Sequence, residues 1–225
     1  GFAADLGMAF APGAMFADVY LNGEYVGNYM ISDQVEVSSN RVRVQKGSTD
    51  TDTGFLVEMD QKIIDYPEGV EGLDWFVVEG YHFMVKEPAS DEDYRTPAQF
   101  AYIEQYFGDL FATLRDGEDY AGLIEVDTFI DWFIVSEVFK NVDSGYSSVY
   151  YYKDAGGLLK MGPVWDFDLS SGNQQKELVW QLRQPTGWYT ARWDKNRIFY
   201  YLFEYASFRT ALRARWIELY DSGVI

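Results

Sequence analysis

Up to Lys86 the apolar positions come in short runs, several alternating with polar residues, whereas beyond Thr96 they recur every three or four residues. The first pattern predicts strands over residues 16–21 and 25–31, turned by Asn22-Gly23, a strong short-range hairpin signal. Further strands are expected over 41–46, 54–59, 75–79 and 82–86, with polar loops over 47–53 and 65–74. In R-V-R-V-Q-K the charged and apolar residues alternate, which predicts a sheet with one wet face. The second pattern predicts a helix over 97–114. Thr96 stands at its N-cap, Pro97 in its first position and Gln99 where a capping box needs it, and Phe100, Ile103, Phe107, Leu110 and Leu114 form one face. A second helix over 128–140, with Asp127 as cap, is apolar nearly all round and is therefore expected to be buried. The tail, 195–220, reads as two more helices with Leu212, Trp216 and Leu219 inward. Sheet first and helices after describe an α+β domain.

Between the second helix and the tail, residues 141–173 carry the candidate chemistry. The runs V-Y-Y-Y-K and L-L-K-M-G around Ala155-Gly156-Gly157 read as a second hairpin, with Asp154 an ordinary turn acid. A hairpin brings its ends together, so Asp143 before it and Asp166 after it are predicted to stand side by side, although 23 positions apart (166 − 143). That is how a metal-phosphate site is built, and it is the layout of a protein-kinase core. There, one Asp handles the acceptor hydroxyl and the Asp after the hairpin holds Mg²⁺ against the phosphates. Ordinary readings stay open: Asp143 could cap the end of the buried helix, and Asp168 could form an Asx-type turn before 169–172. Asp166 is the least ordinary, because an acid between Trp165 and Phe167 would be expensive to bury unpaired.

The segments Y-L-N-G-E-Y-V-G-N-Y (20–29), G-F-L-V-E-M-D (54–60), K-N-V-D (140–143) and G-P-V-W-D-F-D-L-S-S-G-N (162–173) closely resemble the CotH kinase family, named for a bacterial spore-coat protein. The resemblance runs from about Val19 to Tyr220, and W-D-F-D after an N-x-D block is its most specific part. It implies a secreted, cell-surface or spore-coat atypical kinase that uses ATP and Mg²⁺ on a two-lobed, kinase-like fold. Residues 1–225 would then form one domain, with a strand-rich lobe over 1–95 and a helical lobe over 96–225. Asp166 would be the main Mg²⁺ ligand, Asp168 a second, and Asp143 the group acting on the hydroxyl of an acceptor protein. Lys86 would grip phosphate, with Glu104 or Glu58 as its ion-pair partner; surface exposure of all three is the ordinary alternative. The loop 174–193 would shape the acceptor site. One position departs from the kinase pattern: the fifth residue after Asp143 is Ser148, where a second Mg²⁺ ligand would be Asn. The hydroxyl could reach that metal or only cap a turn. There is no convincing G-x-G-x-x-G either, since Gly23 and Gly27 are equally well explained as turn residues.

Composition narrows the alternatives. Lys plus Arg is 18 against 36 for Asp plus Glu, a formal charge of −18, which argues against a basic nucleic-acid or lipid surface. An anionic nucleotide would need a local cation. With no cysteine there is no disulfide or thiolate zinc site, and the lone histidine, His82, reads as an ordinary half-buried strand residue. No run reaches the ~20 apolar residues of a membrane span. The chain opens at Gly1, without a signal-like segment, and reads as a fragment or processed form; in the family it resembles the domain usually begins further upstream. Two rivals remain. D-F-D-L-S resembles the nucleophile motif of haloacid-dehalogenase-type phosphatases, but only 59 residues follow Asp166 (225 − 166), too few for that fold. A non-catalytic extracellular module could use Trp180, Trp188 and Trp193 to stack on glycans, or could bind nucleotide without transferring phosphate.

Overall fold

In the computed structural model, which describes residues 1–45, 51–65, 69–89, 95–173, 182, 184 and 186–225, the alternating runs pair into two separate antiparallel sheets. Strands β1 (Ala14–Leu21) and β2 (Glu24–Ser32) form a two-stranded hairpin. Its turn puts Asn22 at φ 53° and Gly23 at φ 88°, the left-handed pair that the right-handed twist of a tight hairpin selects.

The second sheet has five strands in the order β4-β5-β3-β6-β7. They are β3 (Phe55–Met59), β4 (Trp75–Val78), β5 (Tyr81–Glu87), β6 (Val149–Lys153) and β7 (Leu159–Met161). The second predicted hairpin is therefore β6-β7, and β6 pairs along its whole length with β3, from Phe55 opposite Lys153 to Met59 opposite Val149. Strands from both sides of the expected 95/96 boundary thus share one sheet.

Both faces of this sheet are covered. On one, Phe55, Val57, Phe83, Val149, Tyr151 and Leu159 meet helices α2 (Pro97–Asp116) and α3 (Val126–Val138) in the main core. On the other, Leu56, Tyr150 and Tyr152 meet Phe10, Val35, Val42 and Trp165. Helices α4 (Arg197–Leu202) and α5 (Ala206–Asp221) close the main core, and a short α1 (Phe2–Asp5) packs on α3. The fold is mixed α and β, as expected.

Several local expectations hold in detail. The capping box is present, with Gln99 N–H donating to Thr96 Oγ1 at 3.2 Å and Thr96 N–H to Gln99 Oε1 at 2.9 Å. Leu212 and Leu219 are buried. Others need correcting. No strand forms over 41–45: Val42 and Val44 do point inward and Arg43 outward, but the segment makes only a single bridge, Val37 to Val42, because no neighbour offers it a ladder. Position 46 lies outside the described residues. The N-cap of α3 is Glu125, which caps with no side chain, and Asp127 falls in the first turn, where its charge suits the helix dipole. Trp216 is partly exposed; it borders a groove with Trp188 and Phe203 instead of joining the core. Among the described residues no helix is long and apolar enough to cross a membrane.

Candidate functional site

The β6-β7 hairpin brings its two ends together as predicted. Ser148, just before β6, donates to Asp166 Oδ2 at 3.2 Å across the mouth of the hairpin. Both residues have left-handed backbone, φ 58° each, a conformation non-glycine residues adopt at some cost and one that concentrates at functional sites. The cause at Asp166 is visible on either side of it. Trp165 packs into the smaller core and Phe167 against Phe139 of the main one, so the chain is pinned to both and the acid between them turns toward Ser148. The Asp168 carboxyl lies within hydrogen-bonding reach of Asp166. Burial first, then the neighbouring Asp168 charge, hold the Asp166 carboxyl above the usual carboxylate range, and the Ser148 hydroxyl works against that rise.

Asp143 approaches from the other end. Burial raises its pKa as well; Lys62 opposes this, and the charges of Asp166, Asp168 and Asp60 add to it. The capping reading of Asp143 does not describe its side chain. The local cap is made by Asn141, whose Oδ1 accepts from Asp143 N–H at 3.1 Å, while the Asp143 carboxylate makes no hydrogen bond among the described residues. The loop that carries it is tightly fixed. Thr190 Oγ1 donates to Ser144 Oγ at 3.0 Å, and Asn196 Nδ2 donates to the Ser144 carbonyl at 2.9 Å while its Oδ1 caps α4. A Cβ at Gly145 would lie 2.1 Å from the Lys195 carbonyl oxygen, so only glycine lets the two segments approach this closely.

Glu58 and Lys86 stand on the same sheet face, one and two strands away from the hairpin. The β3-β5 register slips where Leu56 faces Glu87 and Val57 faces Val85, which leaves Lys86 as the extra residue of a bulge. Bulges re-aim side chains, and here the ammonium meets Glu58 Oε2 at 3.2 Å. Tyr150 OH donates to Glu58 Oε1 at 2.8 Å. Burial dominates at Glu58 and raises its pKa despite Lys86 and Tyr150. Of the two partners considered for Lys86, Glu58 is the one it meets. Glu104 is exposed on the outer side of α2, whose opposite side carries Ile103 and Phe107 into the core, so it forms no such pair.

Sequence reasoning missed the supports of the Asp143 loop, namely the turn after β3, whose Gln61 N–H donates to the Tyr146 carbonyl, and Ser144, Gly145, Thr190 and Asn196. All act across long sequence separations with no local pattern. His82 is an ordinary half-buried residue, with Nδ1 2.6 Å from Gln61 Oε1. Of the loop 174–193, residues 174–181, 183 and 185 lie outside the described ones, Trp180 among them. Trp188 packs on Phe133 and Phe203, and Trp193 carries the Arg197 guanidinium 4.4 Å over its ring. A cavity of about 1070 Å³ beside Tyr152, Arg41 and Lys160 includes none of the predicted site residues, so volume alone does not locate the chemistry. Among the described residues, no three His, Cys, Asp or Glu side chains gather as a metal site by themselves.

The description "CotH kinase protein" fits residues 1–223, nearly the whole chain. The chain belongs to the CotH kinase family. No curated protein matches it. Membership supports a kinase-like function, with nucleotide and metal use as general family properties. Of the segments that resemble the family, 20–29 lies in the β1-β2 hairpin, 54–60 covers β3, and 140–143 and 162–173 flank the β6-β7 hairpin.

Proposed function

We propose that this domain transfers the terminal phosphoryl group of ATP, with Mg²⁺, to hydroxyl side chains of secreted or surface proteins, a spore coat being the setting that fits the family. What supports this reading is the Ser148–Asp166 hydrogen bond across the hairpin mouth, which joins the segment after Asp143 to the segment that carries Asp168, with the Lys86–Glu58 pair on the neighbouring strands. On this reading residues 1–95 serve as the smaller lobe and supply Lys86 and Glu58, and residues 96–225 supply the aspartates.

The donors fit the metal. They are hard oxygens, two of them on carboxyls that repel each other, and they form no complete cage. Mg²⁺ favours that arrangement, because it binds one or two carboxylates and completes its shell with phosphate oxygens and water. Asp166 and Asp168 would hold it, with Ser148 steadying Asp166. Bound there, the metal supplies neutralisation of charge on the phosphates. Lys86, aimed by its bulge and by Glu58, contacts the phosphate chain. Asp143 has an uncommitted carboxylate whose proton affinity is raised by burial, so it can orient the acceptor hydroxyl and take its proton. As the acceptor oxygen bonds to the γ-phosphorus, the bond from that phosphorus to the bridging oxygen breaks and ADP leaves.

Calorimetric titration of ATP with and without Mg²⁺ tests the reading. The parent is expected to bind more tightly with the metal, and Asp166→Asn to lose the Mg²⁺-dependent part. Asp143→Asn is expected to keep binding within a few-fold while transfer falls by ~10² or more. Undiminished Mg²⁺-dependent binding by folded Asp166→Asn would remove that residue from the metal site.

A further inference from the structure

The Asp143 carboxylate accepts no hydrogen bond among the described residues, so its position is set by the backbone that carries it. That backbone closes on itself: Asp143 N–H donates to Asn141 Oδ1 at 3.1 Å, and the Asp143 carbonyl accepts from Tyr146 N–H at 2.9 Å and from Ser147 N–H at 3.2 Å. A loop bonded only to itself could still shift as a unit, and contacts from other segments prevent that. Gln61 N–H, in the short 3₁₀ turn Gln61–Ile64 that follows β3, donates to the Tyr146 carbonyl at 2.7 Å. Asn196 Nδ2 donates to the Ser144 carbonyl at 2.9 Å, and Thr190 Oγ1 donates to Ser144 Oγ at 3.0 Å.

The last of these joins two side chains, and both residues are 0% exposed. A buried hydroxyl pair adds little net stability over an apolar pair of the same shape, so its main effect is on where Ser144 sits. Thr190 is in turn held from α3. Glu137, buried in the last turn of that helix, accepts through Oε1 from Tyr189 N–H at 2.8 Å and from Thr190 N–H. Its Oε2 accepts from Lys140 Nζ at 2.8 Å, and the same ammonium donates to the Gly187 carbonyl at 2.8 Å. The end of α3 therefore fixes both ends of the segment 187–190, and the Thr190 hydroxyl passes that constraint to the residue next to Asp143.

We propose that Thr190 is a positioning residue: its hydroxyl, held in place by Glu137, sets the position of Asp143 through Ser144 without touching substrate. The inference rests on the kinase reading of the site and names a further residue on which its chemistry depends. Misplacing a catalytic group by about 1 Å costs up to ~10²-fold in rate, so freeing one tie of its loop is expected to cost about tenfold. Thr190→Val keeps the shape and removes the hydroxyl, whereas Thr190→Ser keeps the hydroxyl and removes a methyl group. A packing role makes serine the worse substitution; a positioning role makes valine the worse. ADP release from Mg²⁺-ATP would be followed with water and with dephosphorylated casein as acceptors, and binding of a non-hydrolysable ATP analogue with Mg²⁺ by calorimetry. In Thr190→Val, kcat is expected to fall about tenfold or more with analogue affinity within about twofold, while Thr190→Ser keeps kcat within about threefold. Ser144→Ala removes the other partner of the same bond and is expected to match Thr190→Val, with the double variant no slower than either. Thermal unfolding identifies the folded variants, and Ser144→Ala carries the test where the valine variant does not fold. A kcat within about threefold of the parent in folded Thr190→Val or Ser144→Ala would overturn the inference while leaving the kinase reading in place. So would a serine variant as slow as the valine one, or analogue affinity that falls along with kcat. A parent that neither binds the analogue nor releases ADP would remove the kinase reading, and the role of Thr190 with it.

Discussion

The β1-β2 and β6-β7 hairpins have nearly the same sequence signature and opposite surroundings. Both are short aromatic and β-branched runs about a glycine-containing turn, yet β6 is buried at every position while β1 and β2 are exposed at most of theirs. Phe16 is 75% exposed and Tyr151 is 0% exposed. A hairpin with both faces in solvent can move without disturbing the rest of the molecule. One clamped between β3 and two cores can hold groups at its ends in strained backbone, as Ser148 and Asp166 are held. Burial of the strands, rather than the hairpin itself, is what makes the second one a platform for chemistry.

The largest effect expected from this contrast is on stability. Tyr151→Ala would remove a ring packed on Phe83, Phe107 and Phe129, at a cost of about 3–5 kcal/mol in denaturant unfolding. A value under about 1 kcal/mol would show that β6 is not the anchor described. Lys86→Met should cost less, about 1–2 kcal/mol, because the ammonium is partly solvated and leaves Glu58 only the Tyr150 hydroxyl. The pH dependence has a definite sign. The Glu58 pKa is already raised by burial, and losing Lys86 raises it further, so the folded state binds its proton more tightly than the unfolded chain does. The contribution of Glu58 to stability is then greatest at low pH and is lost as pH rises through the folded value. The deficit of Lys86→Met relative to the parent should be smaller at pH 5 than at pH 8, and an equal deficit at both would show that Glu58 does not depend on Lys86. The smallest effect is expected at the free hairpin, where Phe16→Ser should change unfolding by less than about 0.5 kcal/mol. A larger loss there would mean that the exposed hairpin is packed in solution.

What the sequence disclosed follows the same line between local and distant. The Asn22-Gly23 turn, the Thr96–Gln99 capping box and the β6-β7 hairpin were legible because each depends on neighbours along the chain or on a single hairpin. The choice of Glu58 over Glu104 was not, since it required knowing that β3 lies beside β5 and that α2 turns Ile103 inward. The R-V-R-V alternation reported burial correctly and pairing wrongly, because alternation records which side of a segment is covered and not whether another strand runs alongside. Gln61 and Asn196 carry no local signature: the first becomes notable only when the 3₁₀ turn docks on the Tyr146 carbonyl, and the second only when α4 meets Ser144.

The pairing of β3 with β6 has a mechanical consequence. Neighbouring strands are spaced about 4.8 Å apart by their hydrogen bonds, and that spacing is stiff. Glu58, which holds Lys86, lies on one strand, and the aspartates lie at the ends of the hairpin formed by the next, so the gap between them is set by the ladder and does not widen unless the ladder breaks. A ligand held across that gap would meet a gauge of constant width, selecting by length rather than by the degree to which the protein closes. Its rates of entry and departure would be governed by segments outside the ladder.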